Sequence, residues 1–249
     1  MELEFYDYMD LITGSNVHTL IAGCTGSGKS VLLNGVILNI LTIDGAGLYL
    51  IDPKGVELVQ YKDSIHTVAY AYTNDQIIRA IRSACDEMDR RFADMRRKGL
   101  RKTDKPPMFV IIDELAQFSR SVNPELAQAN KDLSRLVTLG RASGVFLIGC
   151  TQRPTNDVIT PILKVNCDCK IALSVSTPQE SRNIIQVADA YELPWHGFCL
   201  IRHPSYKGVR REPVELYSDE TVDAFVRASG LRKPKQSSQG FLSKLFRGI

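Results

Sequence analysis

The stretch Gly23-Cys-Thr-Gly-Ser-Gly-Lys-Ser30 decides the fold, because it matches G-x-x-x-x-G-K-[ST] at every fixed position. An apolar run at 19–22 precedes it and predicts a buried strand, and a helical pattern at 30–41 follows. Between a strand and a helix, glycines let backbone N–H groups converge on phosphate oxygens at the helix N-terminus. The sequence therefore predicts a loop that binds the phosphates of a nucleotide.

The residues of this phosphate loop have separate expected contacts. The Lys29 ammonium reaches the β- and γ-phosphates, and the Ser30 hydroxyl is placed to bind Mg²⁺. ATP and Mg²⁺ are therefore the expected cofactors. The predicted nucleotide-binding residues are Gly23, Cys24, Thr25, Gly26, Ser27, Gly28, Lys29 and Ser30.

An acid pair, Asp113 and Glu114, follows another apolar run at 109–112. A carboxylate directly after four apolar residues is poorly solvated unless it meets a cation, so Asp113 is expected to hold Mg²⁺. Glu114 is expected to polarise the attacking water as general base, which favours ATP hydrolysis. Adjacent acids at the end of a strand also serve as helix N-caps, and this alternative stays open.

A third apolar run, 145–150, leads into Thr151-Gln152-Arg153-Pro154. An amide at the tip of a strand beside the Asp113 strand is in position to contact the γ-phosphate or the water and so to report hydrolysis. A solvated turn is the alternative interpretation of Gln152. Spacing alone does not decide between the two.

Apolar runs alternate with helical patterns along most of the chain, which indicates an α/β fold with a mostly parallel sheet and helices on both faces. Several runs are apolar at almost every position, as in strands that are covered on both sides. The predicted strands are 19–22, 47–51, 68–71, 108–112, 145–150, 171–175 and 198–201, and the predicted helices are 30–41, 75–98, 124–142 and 179–188.

Composition is that of an ordinary globular chain, with 44% hydrophobic and 24% charged residues among 249. No apolar run reaches the ~18 residues of a spanning helix, and six cysteines without a disulfide-scaffold pattern indicate reduced thiols. A cytoplasmic location is therefore expected. The net charge is +3, but residues 229–249 hold five basic and no acidic residues, which leaves 26 basic against 28 acidic residues elsewhere. A DNA-binding surface in the body would have to be a local patch.

Several segments together resemble the motor domain of FtsK/SpoIIIE-type DNA translocases, in the HerA–FtsK group of ring ATPases. Besides the phosphate loop, the most specific are Leu50-Ile-Asp-Pro-Lys-Gly-Val-Glu-Leu58 and the Thr-Gln-Arg-Pro segment at 151–154. Others are Glu87-Met-Asp-Arg-Arg-Phe92, Gly140-Arg-Ala-Ser-Gly144 and Ser176-Thr-Pro-Gln-Glu-Ser-Arg182, so that the match spans roughly residues 16–202. The resemblance implies a RecA-like P-loop NTPase core.

The resemblance also implies a homo-oligomeric ring, with a hexamer as the expected form, in which ATP is bound between subunits. Arg141 matches the position of an arginine that enters the neighbouring site and stabilises the charge of the transition state. A surface salt bridge is the alternative role for Arg141. The family's loops that grip double-stranded DNA correspond here to Arg153, Thr155, Asn156 and Arg182.

The function expected from this resemblance is an ATP-hydrolysing motor that translocates double-stranded DNA. Larger members of the family carry spanning segments and a C-terminal winged helix, and 249 residues leave little room for either. Such a motor would serve mobile-element transfer, segregation or phage packaging, with orientation-specific segregation the least favoured. A type VII-like protein-export ATPase and a nucleotide-binding module without turnover are the alternatives.

The end of the chain differs from the rest in composition. We expect the motor domain at 1–228, a flexible basic linker at 229–239 and an amphipathic helix at 240–249. On a helical projection the apolar residues of the tail lie on one side and Ser243, Lys244 and Arg247 on the other, which suits a peripheral helix on the inner face of the membrane. Docking on the body or on a partner protein is the alternative. The apolar residues are Phe241, Leu242, Leu245, Phe246 and Ile249.

Overall fold

Eight strands form one sheet in the computed structural model, which describes residues 8–119 and 121–231. The strands are β1 (Thr19–Ala22), β2 (Gly47–Ile51), β3 (Thr67–Ala71), β4 (Met108–Ile112), β5 (Val145–Thr151), β6 (Cys169–Ala172), β7 (Phe198–Arg202) and β8 (Arg210–Pro213). The α-helices are α1 (Tyr8–Thr13), α2 (Lys29–Leu41), α3 (Asn74–Lys98), α4 (Ala127–Ser143), α5 (Pro161–Asn166), α6 (Pro178–Ile185) and α7 (Asp219–Ser229).

The order of the strands in the sheet is β3-β2-β4-β5-β1-β6-β7-β8. The first six strands in this order run parallel, whereas β7 pairs antiparallel with both of its neighbours, β6 and β8. The predicted mostly parallel sheet is therefore confirmed. Because β5 lies between β1 and β4, the loops that follow these three strands meet at one edge of the sheet.

Helices cover both faces of the sheet, as the almost continuous apolar strands predicted. Along β1, Ile21 packs into a core shared with α1, α2 and α7, whereas Leu20 and Ala22 pack into a core shared with α3, α4 and α6. This alternation follows from the period of two in a strand. A central sheet clamped in this way gives its strand-end loops a fixed position.

Helix ends follow recognisable local signals. A capping box joins Thr73 and Gln76 at the start of α3, and Gly99, at φ 68°, ends that helix. The predicted helix 179–188 is too long, because Gln186 adopts a left-handed φ of 66° and ends α6 at Ile185. The predicted strand 171–175 is shifted as well, since the paired residues are those of β6, 169–172.

The predicted domain boundary at 228 requires a correction. Helix α7 continues to Ser229, and the next two residues pair with the loop before β3: Ile65 N–H donates to the Gly230 carbonyl, and Leu231 bridges Ser64. The predicted linker 229–239 therefore begins with three ordered residues.

The remainder of that linker and the predicted amphipathic helix 240–249 lie outside the described residues. Within the part of the chain that is described, none of the helices combines the length and the apolar character needed to cross a membrane.

Candidate functional site

The phosphate loop joins β1 to α2 in a conformation that its glycines permit. Gly26 and Gly28 have left-handed φ values of 80° and 96°. A Cβ atom on Gly23 would lie 2.4 Å from the Ser27 hydroxyl oxygen and 2.9 Å from the Leu173 Cβ, so no larger residue fits there. The loop therefore leads tightly into the N-terminus of α2, which is the arrangement that binds phosphate.

Lys29, the first residue of α2, is directed at the acid pair that follows β4. Its Nζ lies 2.5 Å from Asp113 Oδ1 and donates a second bond of 3.1 Å to the Asp113 carbonyl oxygen. Burial acts to lower the pKa of Lys29, but neighbouring acidic groups, the Asp113 carboxylate among them, raise that pKa above its usual value. Lys29 and Asp113 thus share one site, joined across the tip of β5.

Oxygen atoms suited to a metal ion line this site. Asp113 Oδ2 is buried and makes no hydrogen bond within the described residues. The Ser30 hydroxyl donates a 2.9 Å hydrogen bond to Glu57 Oε2, from the loop after β2. Carboxylate and hydroxyl oxygens are the ligands that Mg²⁺ prefers. The residues present therefore fit a magnesium nucleotide, with Asp113 and Ser30 as the predicted metal ligands.

Glu114 is held in place by three hydrogen bonds. Its Oε1 accepts from the Thr151 hydroxyl at 2.7 Å and from the Ala116 N–H at 3.1 Å, and its Oε2 accepts from the Gln152 N–H at 3.1 Å. The bond from Ala116 caps the short 3₁₀ helix 115–118, so the N-cap alternative describes one part of what this side chain does. The other two bonds fix the carboxylate between the ends of β4 and β5.

Gln152 completes the edge of the site. Its side-chain Oε1 accepts a 2.7 Å hydrogen bond from the hydroxyl of Thr25 in the phosphate loop. The side-chain amide of Gln152 is therefore hydrogen-bonded to the phosphate loop, which argues against the alternative that Gln152 lies in a solvated turn.

A cleft of about 280 Å³ lies beside the phosphate loop. The lining residues are Cys24, Thr25, Gly26, Gly28, Lys29, Ser30, Val31, Lys54, Glu57 and Gln152. The sequence analysis did not predict Lys54 and Glu57 as site residues. It also did not predict that Trp195, the only tryptophan of the chain, lies beside Gly26. The sole signal for the first two was their place in the Asp-Pro-Lys segment.

Arg141 lies far from this cleft, at the opposite edge of the sheet. It precedes the start of β5, whereas the phosphate loop follows the end of the parallel neighbour β1. The seven residues of β5 separate the two edges by roughly 20 Å. Arg141 Nη1 lies 2.5 Å from Asp168 Oδ2, and its Nε donates to the Asn16 carbonyl oxygen at 3.2 Å. Arg141 is therefore not a residue of its own chain's site.

The predicted DNA-binding residues lie together at the same edge as the phosphate loop. The Asn183 side chain of α6 donates a 2.9 Å bond to the Pro154 carbonyl oxygen, which attaches the helix of Arg182 to the loop of Arg153. Lys164 of α5 donates a 2.7 Å bond to Asn156 Oδ1 and was not predicted. Arg153, Asn156 and Arg182 are exposed, and Thr155 is half-buried.

Known proteins share this sequence and this fold. The sequence model of the FtsK/SpoIIIE family matches residues 6–106. The DNA translocase FtsK of Helicobacter pylori (strain ATCC 700392 / 26695) is 33% identical over 242 residues, which cover 90% of this chain and 28% of that protein. The DNA translocase SftA of Bacillus subtilis (strain 168) is 35% identical over 228 residues, which cover 84% and 24%. The pCW3 conjugation coupling protein TcpA, solved with ATPγS, has a TM-score of 0.76 at 24% identity, over 86% of this chain and 65% of that one.

The phosphate loop and the acids at the end of β4, on a sheet of this order, define a P-loop NTPase fold. Within that class, residues 6–106 belong to an FtsK/SpoIIIE family domain, as the resemblance predicted. The chain spans about a quarter of the length of the two curated relatives just named.

Proposed function

We propose that this chain is an ATP-hydrolysing motor that translocates double-stranded DNA. The observation that carries the proposal is the Lys29–Asp113 pair beneath the phosphate loop, with Glu114 and Gln152 fixed beside it at the ends of adjacent strands. The curated relatives named above are DNA translocases, which favours DNA over a polypeptide as substrate.

In this proposal the chain's own residues divide the chemistry among them. The phosphate loop and Lys29 hold the phosphates, while Asp113 and Ser30 hold Mg²⁺, which neutralises phosphate charge when bound. Glu114 takes a proton from the attacking water, and its bonds from Thr151 and Gln152 orient the carboxylate for that role. Lys29 exchanges part of its contact with Asp113 for the phosphates when nucleotide binds.

Catalysis is completed between subunits in this proposal. Arg141 is too far from its own phosphate loop to act there, but a ring places the opposite edges of neighbouring subunits in contact. An arginine supplied in this way stabilises transition-state charge. The homo-oligomeric ring, of the hexameric type that the resemblance implies, is therefore part of the proposed function.

In this proposal the DNA-contacting surface consists of Arg153, Thr155, Asn156 and Arg182. We include Lys164, because it donates a hydrogen bond to Asn156. Arginine, lysine and small polar side chains contact phosphates without reading sequence, which a tracking motor requires. Arg153 directly follows Gln152, so the surface begins one residue from the nucleotide cleft. This adjacency gives hydrolysis a short path to the DNA.

We further infer a cytoplasmic location, with the tail residues 240–249 as a peripheral contact to the inner face of the membrane. The apolar and basic sides of that segment support the inference. Several tails in one ring would gain avidity that a single short helix lacks. Co-sedimentation with anionic liposomes should pellet the full chain but not a chain truncated after Ser238. Equal pelleting of both would remove the membrane contact.

Steady-state ATPase activity measured with and without duplex DNA tests the central proposal. Stimulation by DNA, abolished in Lys29→Ala, is the expected result. Hydrolysis that is indifferent to DNA would point to another transported substrate, such as an exported protein. Absence of turnover in the wild type would leave a nucleotide-binding module.

A further inference from the structure

The loop after β2, residues 52–58, contains the Asp-Pro-Lys segment of the family resemblance, but none of its residues was predicted to act in the site. Its first residue, Asp52, is buried, and its carboxylate is used within the loop. Asp52 accepts hydrogen bonds from Gly55 N–H at 2.9 Å, from Leu58 N–H at 3.0 Å and from the Tyr70 hydroxyl at 3.2 Å. Asp52 therefore anchors the loop and fixes its shape.

This shape directs Lys54 and Glu57 into the nucleotide cleft, which the phosphate loop also lines. Lys54 Nζ lies 3.5 Å from Glu57 Oε1 and 4.0 Å from Asp113 Oδ2. The other oxygen of Glu57 accepts the hydrogen bond from Ser30. Glu57 thus contacts both Lys54 of its own loop and Ser30 of the phosphate loop.

The two lysines of the cleft differ in how far their charge is engaged. Lys29 is 6% exposed and makes two hydrogen bonds to Asp113. Lys54 is 45% exposed, and its distances to Glu57 and Asp113 are longer than those of strong charge-assisted hydrogen bonds. An ammonium held beside two carboxylates at these distances is available to an anion that enters the cleft.

We propose that Lys54 binds the terminal phosphate of the nucleoside triphosphate, with Glu57 as its positioning residue. The backbone of the phosphate loop contacts phosphates that the diphosphate and the triphosphate share, and Lys29 reaches the β-phosphate as well as the γ-phosphate. Lys54, in contrast, gains its partner only when the third phosphate is present. The loop 52–58 would then distinguish the two nucleotides. This inference rests on the proposed nucleotide role of the site.

Nucleotide affinity separates this role from a purely structural ion pair. Isothermal titration calorimetry with Mg²⁺–ATPγS and Mg²⁺–ADP would compare the wild type with Lys54→Gln, Lys54→Arg and Glu57→Ala. Lys62→Ala, an exposed lysine shortly after the loop, is the matched control. Lys54→Gln should weaken ATPγS binding by about tenfold to a hundredfold and ADP binding by less than about threefold, since one charged contact to phosphate is lost. Lys54→Arg should recover part of the loss, and Glu57→Ala should change the ratio in the same direction by less.

Retained ADP binding shows that each variant has folded with an intact cleft. An unchanged ratio of ATPγS to ADP affinity in Lys54→Gln, or an equal loss for both nucleotides, would overturn the role of Lys54 and leave the motor proposal standing. The expected fall of the ATPγS-to-ADP affinity ratio in Lys54→Gln, together with ATPase activity that ignores DNA, would do the reverse. Failure of the wild type to bind either nucleotide would overturn both.

Discussion

The hydroxyl of Thr25 donates a 2.7 Å hydrogen bond to the side-chain oxygen of Gln152. This bond joins the phosphate loop to the residue that precedes Arg153, the first residue of the proposed DNA surface. If a change at the phosphates moves Thr25, this hydrogen bond would therefore move Gln152 and with it the start of that surface. The same contact places Gln152 within reach of the nucleotide.

Gln152→Ala should remove this link while leaving the loop and Lys29 in place. We expect DNA stimulation of ATPase activity to be lost, and turnover to fall by roughly tenfold or more, with nucleotide affinity changed little. Steady-state kinetics and nucleotide titration on the same preparation check this. Full DNA stimulation in the variant would show that the Thr25–Gln152 contact carries no signal.

Arg153→Ala should abolish DNA-stimulated hydrolysis and leave basal hydrolysis largely intact, because in the proposed function its side chain contacts DNA and not nucleotide. The matched control is Arg101→Ala, an exposed arginine in the loop between α3 and β4, at the opposite edge of the sheet. Lys164→Ala should act in the direction of Arg153→Ala. Equal stimulation in all three variants would count against the assigned surface.

Glu114→Gln should lower the rate of hydrolysis by about a hundredfold to ten-thousandfold while nucleotide still binds, because the amide cannot accept a proton from water. The NH₂ group of the new glutamine would also face one of the groups that now donate to Glu114, such as the Gln152 N–H, so two donors would meet. A thermal-unfolding measurement controls for that local cost. Turnover close to that of the wild type would limit Glu114 to its capping role.

Arg141→Ala should retain nucleotide binding and lose hydrolysis by roughly a hundredfold or more. Mixing it with Lys29→Ala should restore part of the activity, since some interfaces would combine an intact phosphate loop with an intact arginine. Asp168→Asn keeps the guanidinium but weakens its ion pair, so this variant should stay active. Loss in Asp168→Asn equal to that in Arg141→Ala, without recovery on mixing, would favour a structural salt bridge.

His18 should make the fold sensitive to mild acid. Burial, and secondarily the charge of Arg141, lowers the pKa of His18 from 6.5 to about 4, and its Nδ1 accepts from the Leu147 N–H at 2.9 Å. Only the unfolded state binds the proton between these two pKa values, so stability is lost as the pH falls from about 6.5 to about 4. Between pH 7.5 and pH 5 the contribution of His18 is roughly 2 kcal/mol.

Denaturant unfolding of the wild type and of His18→Gln at both pH values isolates that contribution. The glutamine side chain can still accept from the Leu147 N–H but does not titrate. The wild type should lose more stability than the variant. Parallel losses would show that other groups carry the acid sensitivity.

The sequence was sufficient for the elements whose burial is complete. The strands β2, β4 and β5 are apolar at nearly every position because the sheet is covered on both faces, and so their pattern is unmistakable. Strand β8, with the sequence Arg-Arg-Glu-Pro, has no such pattern. It is an edge strand whose exposed face carries charge, and the Arg211 guanidinium lies 4.0 Å from the centre of the Phe198 ring.

The site divides in the same way between local and distant information. Lys29, Asp113 and Glu114 follow from short motifs, since the strand–loop–helix context fixes where each side chain lies. The contact of Glu57 with Ser30, and the place of Lys54 beside Glu57 and Asp113, depend on how the loop after β2 folds back. That fold-back is set by hydrogen bonds to Asp52 from residues three and six positions further on and from Tyr70, and no periodicity in the sequence encodes it.

The separation of Arg141 from the phosphate loop gives the chain a front and a back. If the phosphate loop of one copy needs Arg141 of another, two copies that join through the same edge would leave both sites incomplete. Copies arranged head to tail would instead complete each other's sites in turn. Such an arrangement either closes on itself or continues to grow. A single defective copy would then inactivate a neighbour's site as well as its own. In mixtures with mutant subunits, activity would therefore fall by more than the mutant fraction.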